Sequence, residues 1–366
     1  MQQHLEKKKS AGASHIRDYA LCLGLIVFVN VVIFHSGLYK YVCKPDSYAG
    51  NVYGRLSVLE QIESETSQPP LVVMGDSTIE DGISAQQLTE ISGKPVANLA
   101  MPAAGPLVWL HYFRSIDPDR SRFGAITLLI TPQDVRTTPH EEGIQSLIAV
   151  APPHVFWSYL STFHDPLNHL SDYYASIDRI YAFRRDLEDL IFSPDRWLNG
   201  SKIRKEHQHR LRTWPGEHSD VCDVQLNASR RTVLNWGNVK DRERRRVMNR
   251  TLTRTHQLNK SPTVAGMLDP LEDIVRYYQG SNVRILVVSF PFGWNHRVDP
   301  DHPVIDGFIT RLKRLDALPS VAYWDATQLS LFQNCENFYD FRHLNVRGRQ
   351  KFTSELGKVL KQDAFQ

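Results

Sequence analysis

Five short apolar runs alternate along the chain with segments whose apolar residues recur at helical spacing. The runs are 71–74, 95–99, 125–130, 283–290 and 321–324. Continuous apolar runs of this length, bounded by turn residues, are typical of strands buried on both faces of a parallel sheet. Helices are predicted around them at 84–91, 107–115, 304–315 and 346–360. Strands that alternate with helices predict an α/β domain with a central parallel sheet.

The alternation stops between residues 137 and 261, which we interpret as a mainly helical insertion. Its first part is rich in aromatic residues, as in the helical stretch 173–191. Between residues 201 and 260 the chain has 15 Lys and Arg residues against 6 Asp and Glu residues. Such a basic segment suits a solvated helical cap and equally a surface for anionic polymers or lipid head groups. The sequence leaves both interpretations open.

Residues 19–38 form an apolar segment of 20 residues without a formal charge. A helix of about 20 residues crosses the hydrocarbon core of a bilayer, so we expect one transmembrane helix here. The flanking cations are Lys7, Lys8, Lys9 and Arg17 before the segment and Lys40 and Lys44 after it. By the positive-inside rule this bias predicts a cytoplasmic N-terminus. A cleavable signal peptide is the competing interpretation, but the segment is long for one and no clear cleavage site follows it.

These patterns divide the chain into consecutive parts. Residues 1–18 are predicted to be a cytoplasmic tail and residues 19–38 an uncleaved signal anchor. Residues 39–70 end in Ser-Gln-Pro-Pro and are predicted to be a juxtamembrane linker. The α/β domain then comprises residues 71–136 and 262–366, on either side of the insertion.

Composition and charge narrow the function classes. The chain is 42% hydrophobic and 23% charged, as in ordinary globular proteins, and its net charge of +3 gives no reason to expect a nucleic-acid partner. The four cysteines, Cys22, Cys43, Cys222 and Cys335, have neither CxxC spacing nor a histidine at zinc-finger distance, so we expect no structural metal. Outside the cytoplasm, the last three can supply one disulfide of undetermined pairing, or all three can be buried thiols.

Two short motifs, at opposite ends of the α/β domain, carry the candidate chemistry. Gly75-Asp76-Ser77 directly follows the first predicted strand, at the strand end where open α/β sheets form their sites. Asp340 lies three residues before His343, just upstream of the last predicted helix. A nucleophilic serine needs a base to take its proton and an acid to orient that base. We therefore predict Ser77 as nucleophile, His343 as base and Asp340 as orienting acid, with Asp76 accepting hydrogen bonds from amides of its turn.

Together these motifs resemble the SGNH, or GDSL, hydrolases, whose first block carries Gly-Asp-Ser and whose last carries Asp-x-x-His before the final helix. The resemblance covers roughly residues 71–134 and 283–360 and implies a three-layer α/β/α, flavodoxin-like fold. It also implies an oxyanion hole whose donors come from Ser77, Ala103 and Gln133. The family usually has glycine and asparagine at the last two positions, so this chain departs from it there. The triad implies neither a metal nor an organic cofactor.

Within that family, the string 75–84 and the later Asn98-Leu99-Ala100 look like a membrane-anchored bacterial branch, similar to proteins of alginate O-acetylation and teichoic-acid D-alanylation. This resemblance implies a serine acyl esterase or O-acyltransferase that acts on an acylated envelope polysaccharide. It further implies an acyl donor or membrane-bound O-acyltransferase as partner, and a plasma (inner) membrane location with a periplasmic or extracellular domain. Two alternatives remain: a non-catalytic SGNH-like polymer-binding or assembly subunit, and an α/β domain in which the two motifs coincide by chance.

Overall fold

All five predicted apolar runs form strands, and the insertion adds a hairpin. The computed structural model describes residues 18–36, 38–39, 43, 47–132, 134, 141–151, 154–155, 170–195, 199, 220–227, 232–258, 268–291 and 303–362. In chain order the strands are β1 (Leu71–Met74), β2 (Val96–Asn98), β3 (Ala125–Ile130), β4 (Gln225–Asn227), β5 (Thr232–Asn235), β6 (Arg284–Ser289) and β7 (Val321–Asp325). The helices are α1 (Asp18–His35), α2 (Tyr48–Glu65), α3 (Ser77–Gly82), α4 (Ala85–Ser92), α5 (Pro106–Ile116), α6 (Glu141–Val150), α7 (Leu170–Ile177), α8 (Arg179–Ala182), α9 (Arg184–Phe192), α10 (Arg242–Leu258), α11 (Asp269–Tyr278), α12 (Pro303–Leu315) and α13 (Val346–Leu360).

The central sheet has the strand order β2-β1-β3-β6-β7, and every neighbouring pair is parallel. This is the doubly wound order of flavodoxin-like sheets, in which the winding direction reverses between β1 and β3. The helices that follow these two strands therefore cover opposite faces of the sheet. The crevice at the carboxyl ends of these strands is where sites form in open α/β sheets.

The sheet separates two apolar cores. Successive residues of a strand point to opposite faces: in β1, Val72 and Met74 join one core, whereas Leu71 and Val73 join the other. The first, which we call the α1-side core, also contains buried residues of α2, α5, α11 and α12. The second, the α13-side core, contains buried residues of α3, α4, α10 and α13. Helices thus cover both faces of a central parallel sheet, and the predicted mixed α/β class is confirmed.

Residues 39–70 are not all linker, contrary to the prediction. Residues 48–65 form α2, whose start is capped by the side chain of Ser47. Val52 and Leu59 are buried in the α1-side core, and Glu63 forms an ion pair with Arg122 at 2.6 Å. The sequence hides this helix because its apolar residues, eight of 18, are interspersed with Gly, Ser and Glu, which leaves the contrast between its two sides weak.

The insertion contributes to both faces of the sheet. Its α7 and the residue before α9 are anchored in the α1-side core by Ala175 and Phe183. Its α10 instead reaches the α13-side core through Leu252, close to the β4–β5 hairpin. A disulfide joins Cys222 of the insertion to Cys335 of the α/β domain. This resolves the pairing that the sequence left open, and Cys43 takes no part in it.

α1 is an 18-residue helix with a mean hydropathy of 2.0, long and apolar enough to span a membrane. It coincides with most of the predicted span 19–38. Leu21 and Leu25 are largely exposed, whereas Phe34 near the end of the helix is buried against the folded domain. The last six residues, Asn30–His35, form a π-helical turn.

Candidate active site

The nucleophile turn, which we define as residues 75–77, lies at the carboxyl end of β1. A Cβ at Gly75 would clash with Cγ1 of Ile79, lie 2.7 Å from Ile79 Cβ and lie 3.0 Å from the backbone oxygen of Leu129 in β3, so the turn requires glycine. Asp76 caps α3: its Oδ1 accepts a hydrogen bond from Thr78 N at 2.8 Å and another from the Thr78 hydroxyl. The predicted role of Asp76 as an acceptor in its turn is confirmed. The turn presents Ser77 as the first residue of α3.

The structure brings the three predicted triad residues together, although Ser77 and His343 are 266 positions apart. The distance from Ser77 Oγ to His343 Nε2 is 3.3 Å, and that from His343 Nδ1 to Asp340 Oδ2 is 2.8 Å. With Nδ1–H donating to Asp340, Nε2 is free to accept the serine proton. The longer contact lies slightly beyond the usual hydrogen-bond range, as is common in serine sites before substrate binds.

The acid–base loop, residues 338–345, has an ordered backbone that aims both side chains. Tyr339 N donates to His343 O at 2.8 Å, and Asp340 Oδ1 accepts from the backbone N–H groups of Arg342 and His343, each at 2.7 Å. At its end, Asn345 caps α13 through its side-chain oxygen. The loop is therefore tied both to itself and to the closing helix.

Charges within the site favour a proton on the imidazole. Burial acts to lower the pKa of His343, but the charge and hydrogen bond of Asp340 outweigh it and raise this pKa overall. Burial also acts to raise the pKa of Asp340, and the contacts with His343 and two backbone amides outweigh that effect, so this pKa is lowered. Asp340 thus stays ionised while His343 gains a proton, as a base of this kind requires.

A buried ion pair connects the nucleophile turn to the acid–base loop. Arg342 Nη2 donates to Asp76 Oδ2, and the two side chains are only 7% and 4% exposed. Burial lowers the pKa of Arg342 to about 9, and the adjacent carboxylate favours the charged guanidinium at neutral pH. The sequence analysis did not anticipate this pair. The only sign of this ion pair in the sequence is that the Asp-x-x-His motif contains an arginine and the Gly-Asp-Ser motif contains an acid.

A second carboxylate lies close to the triad. Asp81 follows Ser77 by four positions and so shares its face of α3. It is buried, and its Oδ1 has no hydrogen-bond partner among the described residues. Burial raises the pKa of Asp81 to about 6 against the opposing charge of His343, and Asp340 adds to the rise. Sequence reasoning missed Asp81, although its spacing from the serine was visible.

The structure describes two of the three predicted oxyanion-hole donors, Ser77 and Ala103. Ser77 begins α3, so its N–H has no acceptor within the helix. Ala103 has a φ of 57°, in the left-handed region that glycine prefers, at the position where the resembling family has glycine. Met101 N donates to Gly75 O at 2.9 Å, which ties the loop of Ala103 to the nucleophile turn. Gln133 lies outside the described residues.

The loop after β3 meets the loop after β2 beside the site. A Cβ at Gly105 would lie 3.0 Å from Asp134 O, so the two loops approach each other closely. Asp134 is buried, and its Oδ2 accepts hydrogen bonds from Thr131 N at 2.8 Å and Thr131 Oγ1 at 2.9 Å. The loops after β1, β2 and β3 therefore converge at one edge of the sheet.

The insertion touches the acid–base loop directly. Arg244 of α10 donates to Tyr339 O and lies over the Tyr339 ring, 4.4 Å from its centroid. The Cys222–Cys335 disulfide attaches the segment before β4 five residues upstream of Asp340. The described residues 220–227 and 232–258 of the basic segment are thus attached beside the candidate site.

Comparison with known proteins does not assign a family. No protein-family model matches the chain, and no curated protein matches its sequence. Within the described part of the chain, no group of three or more His, Cys, Asp or Glu residues is placed to hold a metal ion. The interpretation of the site therefore depends on its own geometry.

Proposed function

We propose that the chain is a membrane-anchored serine acyl esterase or O-acyltransferase with an SGNH-hydrolase-like fold. The observation that carries this proposal is the contact of Ser77 Oγ with His343 Nε2 at 3.3 Å, with Asp340 behind the imidazole at 2.8 Å. Acyl transfer to serine requires a nucleophile, a base and an orienting acid in this sequence. Their position beside the β1–β3 switch point supports the same function.

In the proposed reaction, Ser77 Oγ attacks the carbonyl carbon of an acyl ester while His343 Nε2 takes the hydroxyl proton. The carbonyl oxygen becomes an oxyanion, for which the N–H groups of Ser77 and Ala103 are the proposed donors, with Gln133 as a third. The ester C–O bond then breaks, and His343 returns the proton to the leaving alcohol. Water or a sugar hydroxyl attacks the acyl-enzyme by the same steps in reverse.

We propose an acylated envelope polysaccharide as the substrate, at the outer face of the plasma membrane, with a membrane-bound O-acyltransferase as partner. The apolarity of α1 supports the anchoring. On α10, the arginines Arg242, Arg246 and Arg250 are exposed at a spacing of four residues and so form one row. This row supports binding of an anionic polymer close to the acid–base loop. It equally favours the second candidate function, polymer binding without turnover.

A serine-directed fluorophosphonate probe, applied to the full chain in a mild detergent, tests the proposal. We expect one adduct, on Ser77, together with turnover of p-nitrophenyl acetate. Ser77→Ala should abolish both. Ser57→Ala, which changes an exposed serine of α2, is the matched control and should leave both unchanged.

Two results would count against the proposed triad. A folded wild-type chain that acquires no adduct has no working triad. An adduct that persists in Ser77→Ala lies on another serine. Anionic polysaccharide binding by an unlabelled chain, retained in Ser77→Ala, would instead favour the polymer-binding function.

A further inference from the structure

The insertion holds the end of α1 by polar contacts. Asn30 lies within the apolar helix, and its Nδ2 donates to Ile177 O at 3.0 Å. Its Oδ1 accepts from Arg179 N, also at 3.0 Å. The Arg179 guanidinium in turn donates to Phe34 O at 3.2 Å. The junction of α7 and α8 therefore satisfies both ends of the Asn30 amide and fixes α1 in place.

Aromatic contacts extend this attachment to α9. The ring of Phe183 lies 5.8 Å from that of Phe34 and 4.5 Å from that of Tyr39, stacked in both cases. Tyr39 Oη donates to Asp186 Oδ2 at 2.7 Å. The segment from α7 to α9 thus packs along α1 from Asn30 onwards.

This packing sets the depth of α7 and α8, given the membrane anchoring proposed above. The charged Asp18 marks the inner end of the apolar stretch. At about 1.5 Å per residue, Asn30 lies about 18 Å and His35 about 25 Å beyond it along the helix. The hydrocarbon core is about 30 Å thick, and any tilt of α1 reduces these heights. The residues that contact Asn30 therefore lie within the outer leaflet rather than above it.

The same segment exposes apolar side chains in one row. The apolar stripe, as we call it, consists of Leu170, Tyr174, Ile177 and Tyr181, which are 49%, 53%, 44% and 36% exposed. Their spacing of four and three residues places Leu170, Tyr174 and Ile177 on one side of α7. The ring of Tyr181 in α8 lies 5.3 Å from that of Tyr174 and so continues the row. Tyr174 Oη donates to Asp178 Oδ2 at 2.8 Å, so its polar end and a nearby acid satisfy each other.

The chemistry of the stripe suits contact with lipid in the outer leaflet. Leu170 and Ile177 are wholly apolar, and tyrosine, whose ring is apolar and whose hydroxyl is polar, is enriched towards the head groups. The Arg184 guanidinium lies 4.2 Å from the centroid of the Tyr181 ring, where a long basic side chain can reach lipid phosphates. We propose that the apolar stripe is a second membrane contact, which lies in the outer leaflet beside α1 and has lipid as its partner.

Nitroxide labels at three single positions test this inference in the full chain. In a Cys22→Ser, Cys43→Ala background, which removes both cysteines outside the disulfide, Ile177→Cys probes the stripe, Leu25→Cys probes α1 and Leu234→Cys probes β5. Leu25 and Leu234 are the matched references because they are 63% and 66% exposed. In phosphatidylcholine nanodiscs, spin-relaxation measurements give the accessibility of each label to oxygen, which concentrates in the bilayer, and to a nickel chelate, which stays in water. We expect the oxygen-to-nickel ratio at position 177 to rise to that at position 25, well above that at position 234.

Each other outcome refutes one named part of the inference. A low ratio at position 177 with a high ratio at position 25 refutes the stripe as a membrane contact and leaves the anchoring intact. Low ratios at both positions refute the anchoring, and the inference fails with it. A label at position 177 that neither reagent reaches is covered by protein, a second copy or another membrane protein, and lipid is then not the partner.

Discussion

Replacement of Arg342 by methionine tests whether the buried ion pair with Asp76 holds the two halves of the site together. The substitution keeps the apolar length of the side chain and removes its charge, which leaves Asp76 as a buried carboxylate without its cation. The two side chains are 7% and 4% exposed, so water screens the pair weakly. Loss of one partner of such a pair costs about 3–5 kcal/mol. Because Thr78 still donates two hydrogen bonds to Asp76, we expect a loss of about 3 kcal/mol.

The matched variant combines Arg342→Met with Asp76→Asn. Asparagine caps a helix about as well as aspartate does, so α3 keeps its cap while the buried charge disappears. We expect the double variant to lie within about 1 kcal/mol of the wild type. The deficit of the single variant should also shrink as the pH falls, because protonation neutralises the uncompensated Asp76.

Urea denaturation of the full chain in a nonionic detergent, followed by tryptophan fluorescence, gives the free energies of unfolding. The rate of fluorophosphonate labelling at Ser77 reports whether the site still assembles, and it should fall in the single variant. If Arg342→Met lowers the free energy of unfolding by less than about 1 kcal/mol, the ion pair contributes no more than an exposed surface pair does. That result, or equal losses in the single and double variants, would refute the argument.

Three further predictions concern the same site. Asp340→Asn removes the charge that raises the pKa of the neighbouring imidazole, so the acid limb of the pH–rate profile should move to lower pH while kcat falls by about 10³–10⁴-fold; an unmoved limb contradicts this. Replacement of Cys222 and Cys335 by serine opens a link across 113 positions and should cost about 4–5 kcal/mol of stability, which equal urea midpoints would disprove. Gly75→Ala brings a methyl group against the Ile79 side chain of α3 and a backbone oxygen of β3, so it should cost about 1–3 kcal/mol and slow the labelling of Ser77. Gly307→Ala, at an open position on α12, is the control and should not destabilise the chain.

The elements that the sequence predicted best are those whose residues are buried on both sides. The runs 71–74 and 125–130 coincide with β1 and β3 because a central parallel strand needs no polar face, which makes its apolar run continuous. The closing helix 346–360 likewise coincides with α13, which Asn345 caps. The triad could be predicted from the sequence for a topological reason. Parallel strands bring their carboxyl ends to one edge, so a serine after the first strand and a histidine before the last helix can meet.

The features that the sequence did not reveal depend on contacts between distant segments. The partner of Cys222 and the pairing of Asp76 with Arg342 follow from how the insertion and the acid–base loop pack, and local spacing does not encode this. α2 was missed because Gly and Ser residues among its apolar positions weaken the contrast between its two sides. Asn30 is a polar residue within the apolar segment, and its role follows only from the α7–α8 junction that satisfies its amide.

The contact between Asn30 and the α7–α8 junction changes what the proposed anchor does. A flexible linker of about 30 residues would let a tethered domain move over distances of about 30 Å. Under the proposed anchoring, a domain that is packed against its own apolar helix keeps the mouth of its site at one height and one orientation above the lipid. Under the proposed function, the distance of an acyl group from the bilayer then decides whether it can reach the site. Only the acyl groups at that distance are selected further by their chemical structure.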